Sequence, residues 1–162
     1  PITAAAASRI PDSLRDLRYF LYEHMQEESG HELWVLNDLE AVGVTRAVAV
    51  AHNPGPYTLG MTGYNYWSAE RRHPASVLGM LYALEVVASV YGGTFSSAIR
   101  ESLLLDGDNG VSFISSHESM DSQHIAELRE VVNKVDDSRA LEAMVESAEM
   151  NFHHFGRILA PQ

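Results

Sequence analysis

Two stretches of the chain place imidazoles and carboxylates at helical spacing, where an interior helix face normally carries Leu, Ile or Ala. In the first, His24, Glu27, Glu28 and His31 fall at i, i+3, i+4 and i+7; in the second, His117, Asp121 and His124 fall at i, i+4 and i+7. On an α-helix these spacings line residues up on one face over two turns. A solvated face more often carries Lys, Glu and Arg than two His and an Asp. Such a stripe points to metal, and it requires helices that turn it inward.

The remaining pattern is helical throughout. Pro11-Asp12-Ser13 is a helix start, and the apolar positions that follow predict a helix to about Val42, stopped by Gly43. Gly30 falls inside that helix and marks close approach by another helix or a ligand. Further helices are expected over residues 45–51, 58–70, 74–91, 94–104, 113–133 and 139–159, with Gly92-Gly93 ending the apolar one that Pro74 opens. No strand-like alternation and no repeat is visible. The expected fold class is all-α, a compact bundle of six or seven helices. A single domain is expected over 1–162, with residues 1–10 as a loose N-terminal arm.

Composition excludes several functions. The formal net charge of -11, with nothing basic clustered, argues against nucleic acid as a partner. The absence of cysteine removes thiolate metal sites, iron–sulfur clusters, disulfides and cysteine nucleophiles, and points to a reducing, cytoplasmic setting. No apolar run reaches the roughly 20 residues of a membrane span. The Ala-rich start has neither the basic region nor the apolar stretch of a signal peptide. Pro1 in place of Met marks a processed, trimmed or incomplete start.

A carboxylate-bridged pair of metal ions needs hard oxygens to bridge and neutralise two cations, and imidazoles to complete each coordination sphere. Helical bundles supply both from inward faces, as Glu plus Glu-x-x-His, twice over. Here Glu28-x-x-His31 is one such unit, Glu85 is a lone carboxylate in an apolar helix, and His117-x-x-x-Asp121-x-x-His124 adds three more donors. Alone, Glu-x-x-His is common by chance, and a lone Glu in a helix equally well faces solvent or pairs with an arginine. Together the pieces suit two Fe(II) ions, with Mn(II) as the alternative. His24 and Glu27 are additional or competing donors. Trp34, Tyr64, Trp67 and Tyr82 are candidates to line a substrate pocket, although aromatic residues on helices more often belong to a core.

In this order and spacing the chain resembles the haem-oxygenase-like di-iron oxidases and oxygenases, the iron-containing redox enzyme family. The resemblance rests on Glu27-Glu28-Ser29-Gly30-His31-Glu32, then Asp38-Leu39 and Gly43. It continues with His73-Pro74 leading into Gly79-Met80-Leu81-Tyr82-Ala83-Leu84-Glu85, and closes with His117-x-x-x-Asp121-x-x-His124. It implies a haem-oxygenase-like bundle with Glu28, His31, Glu85, His117, Asp121 and His124 as iron ligands. It also implies O2 as co-substrate and oxidation of a small molecule, by hydroxylation, desaturation or cleavage, in a biosynthetic pathway. An electron donor is an expected partner, and the apolar Leu103 to Leu105 and last helix point to a homodimer. The chain departs from the family in its short lead-in and in carrying Leu21 and His24 where many members have a further Glu. The competing reading keeps the fold without di-iron chemistry: a cofactorless oxidase, a haem-binding protein, or a non-catalytic metal-binding or interaction protein.

Overall fold

The Ala-rich start is the first helix of the protein. In the computed structural model, which describes residues 1–160 apart from the side chains of 118–122, α1 (Ile2–Ala7) precedes a single 3-10 turn (Asp12–Leu14) and α2 (Arg15–Glu27). Then follow α3 (His31–Ala41), α4 (Arg46–Ala51), α5 (Pro56–Arg71), α6 (Ser76–Leu103), α7 (Ser112–Val132) and α8 (Ser138–Leu159). Among the described residues there is no strand. The class is all-α, as expected.

The elements differ from the expected ones in three places. Residues 1–10 are not a loose arm: Ala6, Ala7 and Ile10 are buried, and small side chains let α1 lie close against α2 and α5. The long first helix is broken at residues 28–30, because Gly30 adopts φ +98 and turns the chain between α2 and α3. A Cβ at Gly30 would meet nothing within 4 Å, so this glycine serves backbone conformation and not the close approach expected of it. Conversely, Gly92-Gly93 ends nothing. The two glycines cost a helix about 2 kcal/mol relative to alanine, yet α6 runs through them to Leu103, with Gly92 buried.

That continuity makes α6 long and apolar enough, by length and composition, to cross a membrane. Core helices of globular proteins share this composition, and the N-terminal part of α6 (Val77, Leu78, Met80, Leu81) packs into a hydrophobic core.

The chain divides into two units. The first comprises Pro1–Glu27, Pro54–Leu84 and Ile125–Gln162; the second comprises Glu28–Asn53 and Glu85–His124. The first holds the hydrophobic core: Ile10, Leu17, Leu21, Leu78, Leu81, Leu128 and Met144, with α5 packed along α8. Within this core Asn65 and Asn151 exchange amide hydrogen bonds of 2.7 and 3.0 Å, so both buried side chains are satisfied. Asp137 caps α8 by accepting from the Arg139 and Ala140 amides. Tyr64 is half-buried in this unit, and burial, aided by the nearby Glu146 carboxylate, pushes its phenol pKa up.

Gly79 sets the spacing between α6 and α8. A Cβ there would overlap the Met144 carbonyl oxygen and stand 2.8 Å from the Ala148 nitrogen, both backbone atoms that cannot rotate away. Gly79→Ala is therefore expected to cost about 1–3 kcal/mol through forced backbone separation. Gly63→Ala, in the interior of α5 with nothing within 4 Å, is expected to be neutral or stabilising. Thermal unfolding of the two variants measures the contrast.

Candidate metal centre

The second unit has an unusual interior. Among its described residues the one fully buried apolar side chain is Val111, whereas His31, Glu85, His117 and His124 are all buried. Half-buried Trp34, Val35, Leu36, Leu39, Phe113 and Ile114 complete the packing. Over this unit the sequence carries ten acidic side chains against two arginines. Both arginines pair with exposed carboxylates: Arg46 with Glu40 at 3.1 Å and Arg100 with Asp108 at 2.8 Å.

Four segments deliver the donors. Glu28 stands in the turn that Gly30 makes possible, and His31 is the first residue of α3. Glu85 comes from α6, where its side chain is 8 % exposed in an otherwise apolar run. His117 and His124 come from α7, seven residues apart and hence on one face.

The Glu28 carboxylate lies between two groups of donors. Its Oε2 is 2.9 Å from His31 Nδ1 and 3.6 Å from His117 Nε2. Its Oε1 is 4.0 Å from His124 Nδ1, and that nitrogen is in turn 3.4 Å from Glu85 Oε2. Donor atoms of Glu28, His31 and His117 lie within 4.8 Å of one another, and so do those of Glu28, Glu85 and His124. Each trio can hold one metal ion, and both use Glu28.

His117 is oriented by its own helix. Its Nδ1 lies 2.7 Å from the Phe113 carbonyl oxygen one turn earlier. A carbonyl has no proton to give, so Nδ1–H donates to it and Nε2 is the atom facing Glu28. Aromatic rings wall this side. Trp34 stacks on His31 with centroids 4.1 Å apart, and Phe113 lies 4.2 Å from His117. The rings of His31 and His117 meet edge to face at 5.0 Å.

His24, expected as an additional donor, is buried in the last turn of α2 with Phe20 stacked on it, and Glu27, the competing one, is exposed at the end of the same helix. The break at residues 28–30 means that the four residues of the first stripe do not share one helix face. Trp67 and Tyr82 are largely exposed and Tyr64 is half-buried. Trp34 stands beside the donors, stacked on His31. Asp121 lies outside the described residues. Two neighbours had no role assigned from sequence. Phe113 has no local signal, since aromatic residues near a helix start are common. Asp38 hydrogen-bonds the first turn of α7, a tertiary contact that no spacing along one helix reveals.

The donor set suits iron. Two carboxylates and three imidazoles are the oxygen and nitrogen ligands that Fe(II) and Mn(II) take from helical bundles. Residues 1–154 match the model of a family described as iron-containing redox enzyme. A solved structure, described as a domain of unknown function with a haem-oxygenase-like fold from Shewanella denitrificans OS217, is similar at a TM-score of 0.85 and 25% identity, over 98% of this chain and 68% of that one. No curated protein matches the chain significantly.

The turn that presents Glu28 and His31 depends on Gly30 holding φ +98. Gly30→Ala places a Cβ in the left-handed region at a cost of about 1–2 kcal/mol. Gly30→Asn, which tolerates that region, is expected to recover most of it. Denaturant midpoints of the two variants decide.

Proposed function

The chain belongs to the iron-containing redox enzyme family and has a haem-oxygenase-like fold, and from that premise we propose that it is a non-haem di-iron oxidase or oxygenase. The observation that carries this reading is the Glu28 carboxylate, which faces His31 and His117 with one oxygen and His124 with the other. A carboxylate so placed suits a bridge between two cations and has little purpose with one. Glu28, His31 and His117 would hold the first iron, and Glu28, Glu85 and His124 the second, with Asp121 completing the set that the family resemblance implies. Bound there, the irons supply the redox chemistry that activates O2 toward a small organic substrate.

The protein's own part is positional and electrostatic. Glu28 and Glu85 provide negative charge among the imidazoles of His31, His117 and His124, a setting that suits a bound cation. The Phe113 carbonyl holds the His117 ring with Nε2 directed at Glu28. Trp34 and Phe113 cover His31 and His117 with apolar surface, which keeps water from that side and offers an organic substrate a face to pack against. A small molecule oxidised in a biosynthetic pathway, with an external electron donor, is the substrate class in keeping with this arrangement.

Anaerobic Fe(II) titration of the intact chain is expected to end at about two ions per chain. His117→Ala and Glu85→Ala should each lose one ion, and Glu28→Ala, which removes the shared carboxylate, should lose most of both. A wild-type chain that takes up no Fe(II) would overturn the assignment. A single ion unaffected by Glu85→Ala would overturn its two-metal form.

A further inference from the structure

We infer that Asp38 is a positioning residue for His117, acting through the first turn of α7. This rests on the reading of His117 as a metal ligand. Asp38 lies on α3, seven residues after His31 and four after Trp34, so all three share one face of that helix. Its carboxylate accepts three hydrogen bonds from the start of α7. Oδ1 takes the Ser112 amide at 2.9 Å and the Ser112 hydroxyl at 2.7 Å, and Oδ2 takes the Phe113 amide at 2.8 Å. A helix N-terminus leaves its first amides without intrahelical partners, and α7 has them satisfied by a side chain from another helix.

The consequence follows from which residue is held. Phe113 gives its N–H to Asp38 and its carbonyl to His117 Nδ1. Fixing this one residue fixes the acceptor that decides which His117 nitrogen carries the proton. With Nδ1–H committed to Phe113, Nε2 is the nitrogen that faces Glu28, at 3.6 Å. Asp38 thus ties α3 to α7 at one end of their shared face, while His31 and His117 meet at the other. The negative charge at the helix start is also favourable to the α7 dipole. If the carboxylate served only as a cap, its loss would cost stability and leave the imidazole unchanged; the direct link through Phe113 predicts more.

The test compares Asp38→Ala and Asp38→Asn with Asp137→Ala, which removes the cap of α8 and two comparable backbone hydrogen bonds. Asparagine is isosteric with aspartate but offers one acceptor oxygen in place of two, so it cannot serve Ser112 and Phe113 together. It also keeps the variant series informative if Asp38→Ala does not fold. Long-range 15N spectra of the imidazoles, with His117 identified by its loss in His117→Gln, read the tautomer without metal. In spectra taken at alkaline pH, where the ring is neutral, His117 is expected to be Nδ1-protonated in the wild type and in Asp137→Ala, and a mixture of tautomers in both Asp38 variants. Co(II) titration is expected to show about tenfold weaker binding at one of the two sites in the Asp38 variants, and wild-type affinity in Asp137→Ala. A single, unchanged His117 tautomer in the Asp38 variants would overturn the proposal, as would an equal loss of Co(II) affinity in Asp137→Ala. Absence of Co(II) binding in the wild type would sink the metal reading while leaving the imidazole spectra to decide Asp38.

Discussion

The second unit is governed by two carboxylates, Glu85 buried and Glu28 partly so, set among three imidazoles. Taking a carboxylate out of water costs several kcal/mol after relaxation unless a counter-charge stands close by. Full burial of an aliphatic side chain such as Val111 returns only about 1.5–3 kcal/mol, and no other apolar side chain among the described residues of this unit is fully buried. Hydrophobic packing therefore does not offset the cost. The three imidazoles beside Glu28 and Glu85 contribute to the compensation, as imidazolium partners or as co-ligands of a divalent cation. Of the two, the cation neutralises both carboxylates at once and uses every donor.

The first unit has the opposite character, and the contrast explains how the donors stay in register. Its core is apolar, its buried amides are paired, and Gly79 brings α6 and α8 to backbone contact. The second unit relies on backbone devices. Gly30 turns the chain so that Glu28 and His31 follow one another without a shared helix. Asp38 fastens α3 to the start of α7. Both devices are local and inexpensive, and both act on the residues that flank the donors.

Much of this was legible in the sequence, although partly for reasons that did not hold. Glu28 and His31 stand out through helical spacing, yet they are not on one helix; a turn closed by a left-handed glycine places them near each other instead. Glu85 is visible because a charge in a long apolar run has few explanations, and the helix that carries it is longer than expected because Gly92-Gly93 lacks the conformation that would end it. Helix starts with a side-chain cap, as at Thr45 and Asp137, fall where the residue types put them. The start of α7 also falls within one residue of the expected position, but its cap is Asp38 on α3. Capping across helices leaves no trace at i, i+3 or i+4. For the same reason the alanines of α1 read as a loose arm: small side chains carry little apolar signal, and their value is the close approach they permit.

The two donor groups around Glu28 are chemically unlike, and the difference bears on where a substrate would lie. On one side are His31 and His117, with Trp34 and Phe113 laid against them at 4.1 and 4.2 Å. On the other are Glu85 and His124, where a second carboxylate adds charge. Charge strengthens the hold on a hard cation but repels electron-rich or acidic molecules and attracts water. Aromatic walls do the reverse: they contribute little to binding an ion and much to excluding water and packing an organic surface. In the proposed di-iron reading, a shared carboxylate with a charged group on one oxygen and an aromatic-walled group on the other would separate the task of retaining metal from that of receiving substrate. Trp34 and Phe113 would then mark the substrate-facing side, and the hold of Asp38 on Phe113 would keep one of those walls and the His117 ring in place together.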